Sequence, residues 1–436
     1  MEKKIRSLIL PGIFLAALII RVVYILTLNN AVDVWGDWWD ELGWKLAAGQ
    51  GFWVDNQYFP GGTPFYSWRA PGFPFFLSLI YRLCGHSFLA AKIGLAVVSS
   101  LTAVLIYLIA LLIADRKVAI VSAVIFALYP VSIFWTGQLA PETLTGFLLL
   151  GMTSCLLSGK KSGKLYWFVL AGVIMGLGTL TRSAFILFLP MVGLWLCLMN
   201  RRSGHCERSE AISKQDCRVA ENAPRNDLKF PFFATVVCAL GCALAVVPWT
   251  LRNQKIHHRV VLTSTEGGVV CFIANNERSL DEPSGYWNPP LEYFSYLRGR
   301  SEVEIDKHLY QRAFAFIRSN PQQFLVRVGD RFLRYWRLAP HTFSGPGGPY
   351  KQYYVWLSLI FLVPLFALST YGLFLSFRKW REFLLIYLII IAWSLPVILF
   401  FKVVIRYREP IMPFVLMFCS LGIVSWLHNR KRNVEE

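Results

Sequence analysis

Phe88–Ala114 reads FLAAKIGLAVVSSLTAVLIYLIALLIA, interrupted by a single charge, Lys92, near its start. A helix crosses the hydrocarbon layer of a bilayer in about 20 residues, and the core of one soluble domain does not accommodate an apolar run this long. The same reading extends outward to Leu8–Leu28 and Leu357–Phe377. Across all 436 residues 55% are hydrophobic and only 16% charged, with a mean hydropathy of +0.47. Soluble domains rarely pass roughly half apolar residues, so a polytopic membrane protein is expected.

A net charge of +18 would point a soluble chain toward nucleic acid. Here Lys and Arg gather in short clusters between apolar runs, the positive-inside pattern, and no nucleic-acid partner follows. With Lys3, Lys4 and Arg6 inside, Leu8–Leu28 exits; it is longer than a signal h-region and no small-residue cleavage pattern follows, so a retained first span is expected. Pro71–Cys84 is too short to cross and is expected to lie at the outer interface. Phe88–Ala114 then enters, Val118–Gln138 exits, Pro141–Ser158 returns, Leu165–Leu180 exits, Ala184–Asn200 returns and Phe230–Leu251 exits. Tyr354–Ser376, Phe383–Phe401 and Ile411–Leu427 complete about ten spans with both termini inside.

This threading divides the chain into an N-terminal membrane core, 1–251, an extracytoplasmic segment, 252–353, and C-terminal membrane helices with a short tail, 354–436. The core includes a first outer loop, 29–87, and a polar cytoplasmic insertion, 203–229. That insertion has no periodicity and resembles translated palindromic repeat DNA of bacterial genes; its His205, Cys206 and Cys217 lack zinc spacing. In the outer segment Val260–Ser264 and Val269–Ala274 read as short strands, followed by helices at Ser301–Ser319 and Pro321–Arg337, the second with an aromatic, basic face suited to headgroups. Of nine cysteines only Cys271 falls there, so no disulfide framework is expected.

Polar residues of interest gather on the outer side. The first loop holds Asp37 and Asp40 among Trp35, Trp38 and Trp39. A carboxylate with reduced solvation suits a base acting on a hydroxyl; an aromatic belt with solvated acids reads equally well. Arg69 precedes a rigid Pro71-Gly72-Phe73-Pro74 turn and fits a phosphate fork or lipid headgroups. Glu142 opens its span, where a carboxylate also complements a helix N-terminus. Arg182, Arg252, Arg406 and Arg408 add outer cations that oppose the inside bias and call for an anionic partner, most economically a lipid phosphate.

These residues reach a known pattern. Trp39–Phe52 followed by Arg69–Tyr81 resembles the first loop of the GT-C glycosyltransferases of the dolichyl-phosphate-mannose protein mannosyltransferase group, glycosyltransferase family 39, and their bacterial relatives, including the lipid A aminoarabinose transferases. Ala140-Pro141-Glu142-Thr143-Leu144 is similar to that group's TETL, Thr181-Arg182 to its TRP, Pro248–Asn253 to PWTIRN, and Arg406-Tyr407-Arg408-Glu409-Pro410 to RYRLP. The resemblance implies an all-α GT-C-type bundle of about ten transmembrane helices, with outer interfacial helices and a small mixed α/β outer segment.

It also implies a polyprenyl-phosphate-linked sugar as donor, a lipid, glycan or protein acceptor, and a site facing outward from the bacterial cytoplasmic membrane. Asp37 takes the catalytic base position, with Asp40 as the alternative because the spacing to Gly49-Gln50-Gly51 is short. Arg69 takes the donor-phosphate position, with Ala70 replacing a proline. Glu142 takes an acidic position that shares a divalent metal in the aminoarabinose branch. An O-antigen polymerase or ligase and a lipid-linked glycan transporter remain alternatives. The first would concentrate basic residues in later loops, and the second would carry midspan ionisable residues.

Overall fold

The structure, a computed structural model, describes residues 2–28, 38–56, 62–200, 229–280, 282, 287, 289–338 and 352–435. Asp37 and all of the insertion 203–229 except Lys229 lie outside them. The described residues form α1 (Glu2–Thr27), α2 (Trp39–Ala47), α3 (Gly72–Cys84), α4 (Phe88–Ile113), α5 (Arg116–Leu128), α6 (Pro130–Thr136), α7 (Glu142–Ser162) and α8 (Tyr166–Thr181). They continue as α9 (Phe188–Asn200), α10 (Lys229–His257), α11 (Gly267–Ala274), α12 (Glu302–Ser319), α13 (Pro321–Tyr335), α14 (Gln352–Ser376), α15 (Trp380–Phe400) and α16 (Met412–Glu435). This is a multi-pass membrane protein, helical nearly throughout.

By length and composition seven described helical stretches can cross a membrane, or eight if α5 and α6, bent by 53° at Tyr129, count as one. Tyr166–Thr181, with 16 residues, is shorter. The apolar stretch Ser358–Phe400 is a hairpin. Ser376 and Tyr387 share a hydroxyl–hydroxyl hydrogen bond, although eleven residues of straight helix would part them by about 16 Å. The chain therefore reverses at the 3-10 turn Phe377–Lys379.

Lipid supplies no hydrophobic drive between helices, so small residues that let backbones approach become decisive. A Cβ on Gly172 of α8 would collide with the Cys238 carbonyl of α10, and one on Gly372 of α14 with the Phe418 carbonyl of α16. Around these seams α4 packs on α1, α5 and α7, and α7 packs on α8.

The helix ends that carry the candidate residues share one face of the bundle. Gly72 of α3 abuts Leu180 and Thr181 at the end of α8, so closely that a Cβ would strike the Thr181 hydroxyl and the Leu180 carbonyl. Asn275, after α11, donates to the Phe400 carbonyl at the end of α15 (2.7 Å). Helices α2, α3 and α11–α13 cap this face. In α12 a capping box links Ser301 and Glu304, while α13 exposes Leu325, Val326 and Leu333.

One local expectation is corrected. Val269–Ala274 is not a strand but most of α11, and 260–266 forms no strand either. An apolar run this short does not distinguish strand from buried helix by pattern; the Asp306 carboxylate of α12 accepts from the Gly268 N–H at the start of α11 (2.5 Å) and fixes a helical first turn. Among the described residues the only β pairing is an isolated bridge between Val54 and Phe65.

Candidate functional site

Glu142 sits in the first turn of α7, where unpaired backbone N–H groups favour an acid. It is 3% exposed, and burial of a carboxylate requires compensation. Arg182, immediately after α8, donates to its Oε1 at 2.7 Å, and Nε of Arg406 lies 3.7 Å from the same oxygen. The Tyr407 ring lies 5.5 Å from the Arg182 guanidinium and 5.4 Å from that of Arg406. Three segments far apart in sequence thus converge, among the described residues, as two cations, one carboxylate and one ring.

Beside Glu142 a narrow cleft of about 30 Å³ runs between α4, α5, α6, α7 and the start of α16. Its wall includes Glu142, Glu409, Tyr129 and Trp135. The cluster stands at one edge of this cleft.

Arg69 lies three residues before Gly72, which seats against Leu180 and Thr181 at the end of α8. Its guanidinium is ion-paired with Glu266 and lies 5.2 Å from the Trp39 ring and 5.7 Å from that of Trp38. Glu266 directly precedes α11, so this pair fastens the first loop to the later cap. Nearby, burial pushes the Asp306 carboxyl up to about 7, and the charges of Glu266 and Glu302 push the same way against the Gly268 N–H.

The other expected residues fall elsewhere. Asp37 is outside the described residues; its neighbour Trp38 has φ 56°, an uncommon value for a side-chain-bearing residue. Asp40 accepts from the Tyr81 hydroxyl at 2.5 Å and contacts His86 Nε2 at 3.0 Å, with His86 stacked on Trp44; it locks α2 to α3. Arg252 donates to the carbonyls of Tyr66 (2.6 Å) and Phe52 (2.9 Å). Arg408 donates to those of Tyr335 (3.2 Å) and Arg337 (2.5 Å). These last two cations are anchored on backbone. Sequence reading gave no role to Glu266, Tyr129 or Glu409; only Glu409 left a signal, an acid where the RYRLP pattern carries leucine.

The described residues do not fit a divalent metal. Glu142 is met by two arginines, which repel a cation, and no group of three His, Cys, Asp or Glu side chains among the described residues is arranged as ligands.

Residues 68–210 match the family described as dolichyl-phosphate-mannose-protein mannosyltransferase. No curated protein matches the chain. Among solved structures, the archaeal oligosaccharyltransferase AglB from Archaeoglobus fulgidus, in complex with an inhibitory peptide and a dolichol-phosphate, superposes with a TM-score of 0.55 at 14% identity, over 99% of this chain and 52% of that one. ArnT from Cupriavidus metallidurans bound to undecaprenyl phosphate gives 0.51 at 12% identity, over 94% and 59%. The chain spans little more than half the length of these structures. The likeness shows the fold, the GT-C bundle.

Proposed function

We propose that the chain is a glycosyltransferase that moves a sugar from a polyprenyl-phosphate donor to an acceptor hydroxyl, with inversion at the anomeric carbon. The observation that carries this reading is the pair of guanidiniums, Arg182 and Arg406, gathered on one carboxylate at the edge of a cleft. Two guanidiniums held side by side suit a phosphate. The fold supports the same reading, since the AglB and ArnT structures hold dolichol-phosphate and undecaprenyl phosphate.

In this mechanism Asp37 takes the proton of the acceptor hydroxyl, whose oxygen forms the new bond to the anomeric carbon. The bond from that carbon to the phosphate oxygen breaks, and its electron pair leaves with the polyprenyl phosphate. Arg182 and Arg406 meet the charge as it develops, and preorganised cations in a water-poor site stabilise it strongly. Arg69, fastened to Glu266, ties the first loop to the later cap. The capped face points away from the cytoplasm, in a bacterial cytoplasmic membrane.

The test uses protein in lipid nanodiscs and a deletion strain. Arg182→Ala weakens binding of undecaprenyl phosphate roughly tenfold or more, as expected for loss of a charge-assisted contact. Asp37→Asn leaves that binding intact, yet fails to restore the envelope glycans missing from the deletion strain by mass spectrometry. If wild-type protein binds no undecaprenyl phosphate and the deletion strain accumulates no lipid-linked sugar, the reading is wrong.

A further inference from the structure

Among the described residues, α13 of the cap carries an apolar face that no other element covers. Leu325, Val326, Phe332 and Leu333 are 67%, 72%, 52% and 70% exposed. Their spacing, two adjacent pairs about two turns apart with Gly329 between, sets them on one side of the helix. A continuous apolar stripe is unfavourable in water, so its cover is apolar too.

The opposite side of α13 shows at what level the helix lies. Phe324 packs on Phe400, the last residue of α15, with ring centroids 6.4 Å apart. Arg331 donates to the Leu399 carbonyl (2.8 Å), the Tyr335 hydroxyl accepts from Ser394 (3.1 Å), and the Trp336 ring lies 6.0 Å from that of Phe366 in α14. Ser394 stands roughly 9 Å short of the end of α15 at 1.5 Å per residue. Helix α13 therefore lies alongside the end of the α14–α15 hairpin, not above it. At that level Ile391 and Leu395 of α15 are exposed as well, and on a spanning helix such side chains face lipid.

Charge does not hold the helix there. Arg331 is buried and donates to the Leu399 and Ala274 carbonyls and to Asn275, while Arg327 and Arg334 both pair with Asp330. The basic side chains that the sequence pattern assigns to headgroups turn toward protein. We propose that α13 is an in-plane membrane helix whose partner is the acyl layer of the leaflet on the capped side, entered by Leu325, Val326, Phe332 and Leu333 and held by apolar burial, not by headgroup charge. Arg408 donates to the carbonyls of Tyr335 and Arg337, so the helix that meets lipid is tied to the segment that carries Arg406.

The experiment places full-length wild-type protein in phosphatidylcholine nanodiscs with a trace of phosphatidylcholine bearing a diazirine in mid acyl chain, and maps photoadducts by mass spectrometry. Adducts form on Leu325, Val326, Phe332 and Leu333 at yields within roughly threefold of those on Ile391 and Leu395. Replacing part of the lipid with phosphatidylglycerol, or raising the salt, leaves that ratio unchanged, because screening acts on charges and not on apolar contact. Leu325→Asp combined with Leu333→Asp lowers the adducts on Val326 and Phe332 roughly tenfold and leaves those on α15 as they were. If this double variant does not fold, the wild-type ratios still decide.

The inference is overturned if adducts form on α15 but not on α13, which would put the face in water or under protein, a second copy of this chain included. It is also overturned if α13 is labelled only when phosphatidylglycerol is present and the labelling fades with salt, the behaviour of a helix held by headgroup charge. A folded double variant that keeps its adducts on Val326 and Phe332 would show that the lipid contact does not depend on this face, with the same result.

Discussion

Asp37 and Asp40 compete for the role of base, and substitution of Asp40 separates them. Its carboxylate takes the hydroxyl of Tyr81 at 2.5 Å and Nε2 of His86 at 3.0 Å, and Tyr81 is 1% exposed. Asp40→Ala strands that hydroxyl without water and frees His86, a loss of roughly 2–4 kcal/mol at 1–3 for the orphaned group and about 1 for the second bond. Asp40→Asn keeps an acceptor and gives up only charge assistance, roughly 1–2 kcal/mol. Thermal unfolding in detergent therefore ranks wild type above Asn above Ala, with Asn a few degrees down. Glycan restoration in the deletion strain, below either melting temperature, stays near wild type for Asp40→Asn. Asp37→Asn shows the opposite pattern, unchanged melting and turnover down roughly 10²–10⁴. An Asp40→Asn protein that melts like wild type but transfers nothing would move the base to Asp40 and refute the structural role given to it.

Stability carries a pH signature at Asp306. Its folded carboxyl titrates near 7 against about 3.9 when unfolded, so its contribution is full below pH 4 and declines as pH rises to 7. Asp306→Asn should melt above wild type at pH 8 and level with it near pH 4; a wild-type Tm that climbs over this interval, with no flattening in the variant, contradicts the assignment. Topology is read by single cysteines in a cysteine-free background: the exposed Gln50 position labels with an impermeant thiol reagent from outside and the exposed Ser162 position does not, the reverse pattern inverting the threading. Deleting 203–226 leaves glycan restoration intact, because shortening a polar loop changes closure entropy little; loss of restoration by a correctly inserted protein would give the loop a role.

The membrane helices were legible because a run such as Phe88–Ala114 carries its own length requirement, and α12 because the helical pattern of Ser301–Ser319 is local. Val269–Ala274 was not, since its helical state depends on Asp306, nearly forty positions away. The site divides along the same line. Glu142, Arg182 and Arg406 were visible as polar residues at span ends, and the fold assembles them. That Arg252 and Arg408 rest on carbonyls, or that Arg69 meets Glu266 across 197 positions, is written in tertiary contacts alone. Tyr129 reads as one more aromatic until the bend between α5 and α6 turns it toward the cleft.

Arg21 carries a consequence for biogenesis. It is 0% exposed in α1, and apart from the Ala17 carbonyl its partners are Ser99, Phe126, Ala127 and Ser132. All four are synthesised some 78 to 111 residues after it. A lone arginine within a span costs roughly 2.5–3.5 kcal/mol at insertion when central, so α1 leaves the translocon lacking the groups that make it comfortable in lipid. The apolar length of α1 outweighs that cost, yet insertion is completed energetically only when α4 to α6 emerge. Truncations ending before Ser99 would then hold α1 in the bilayer less firmly than the full chain does.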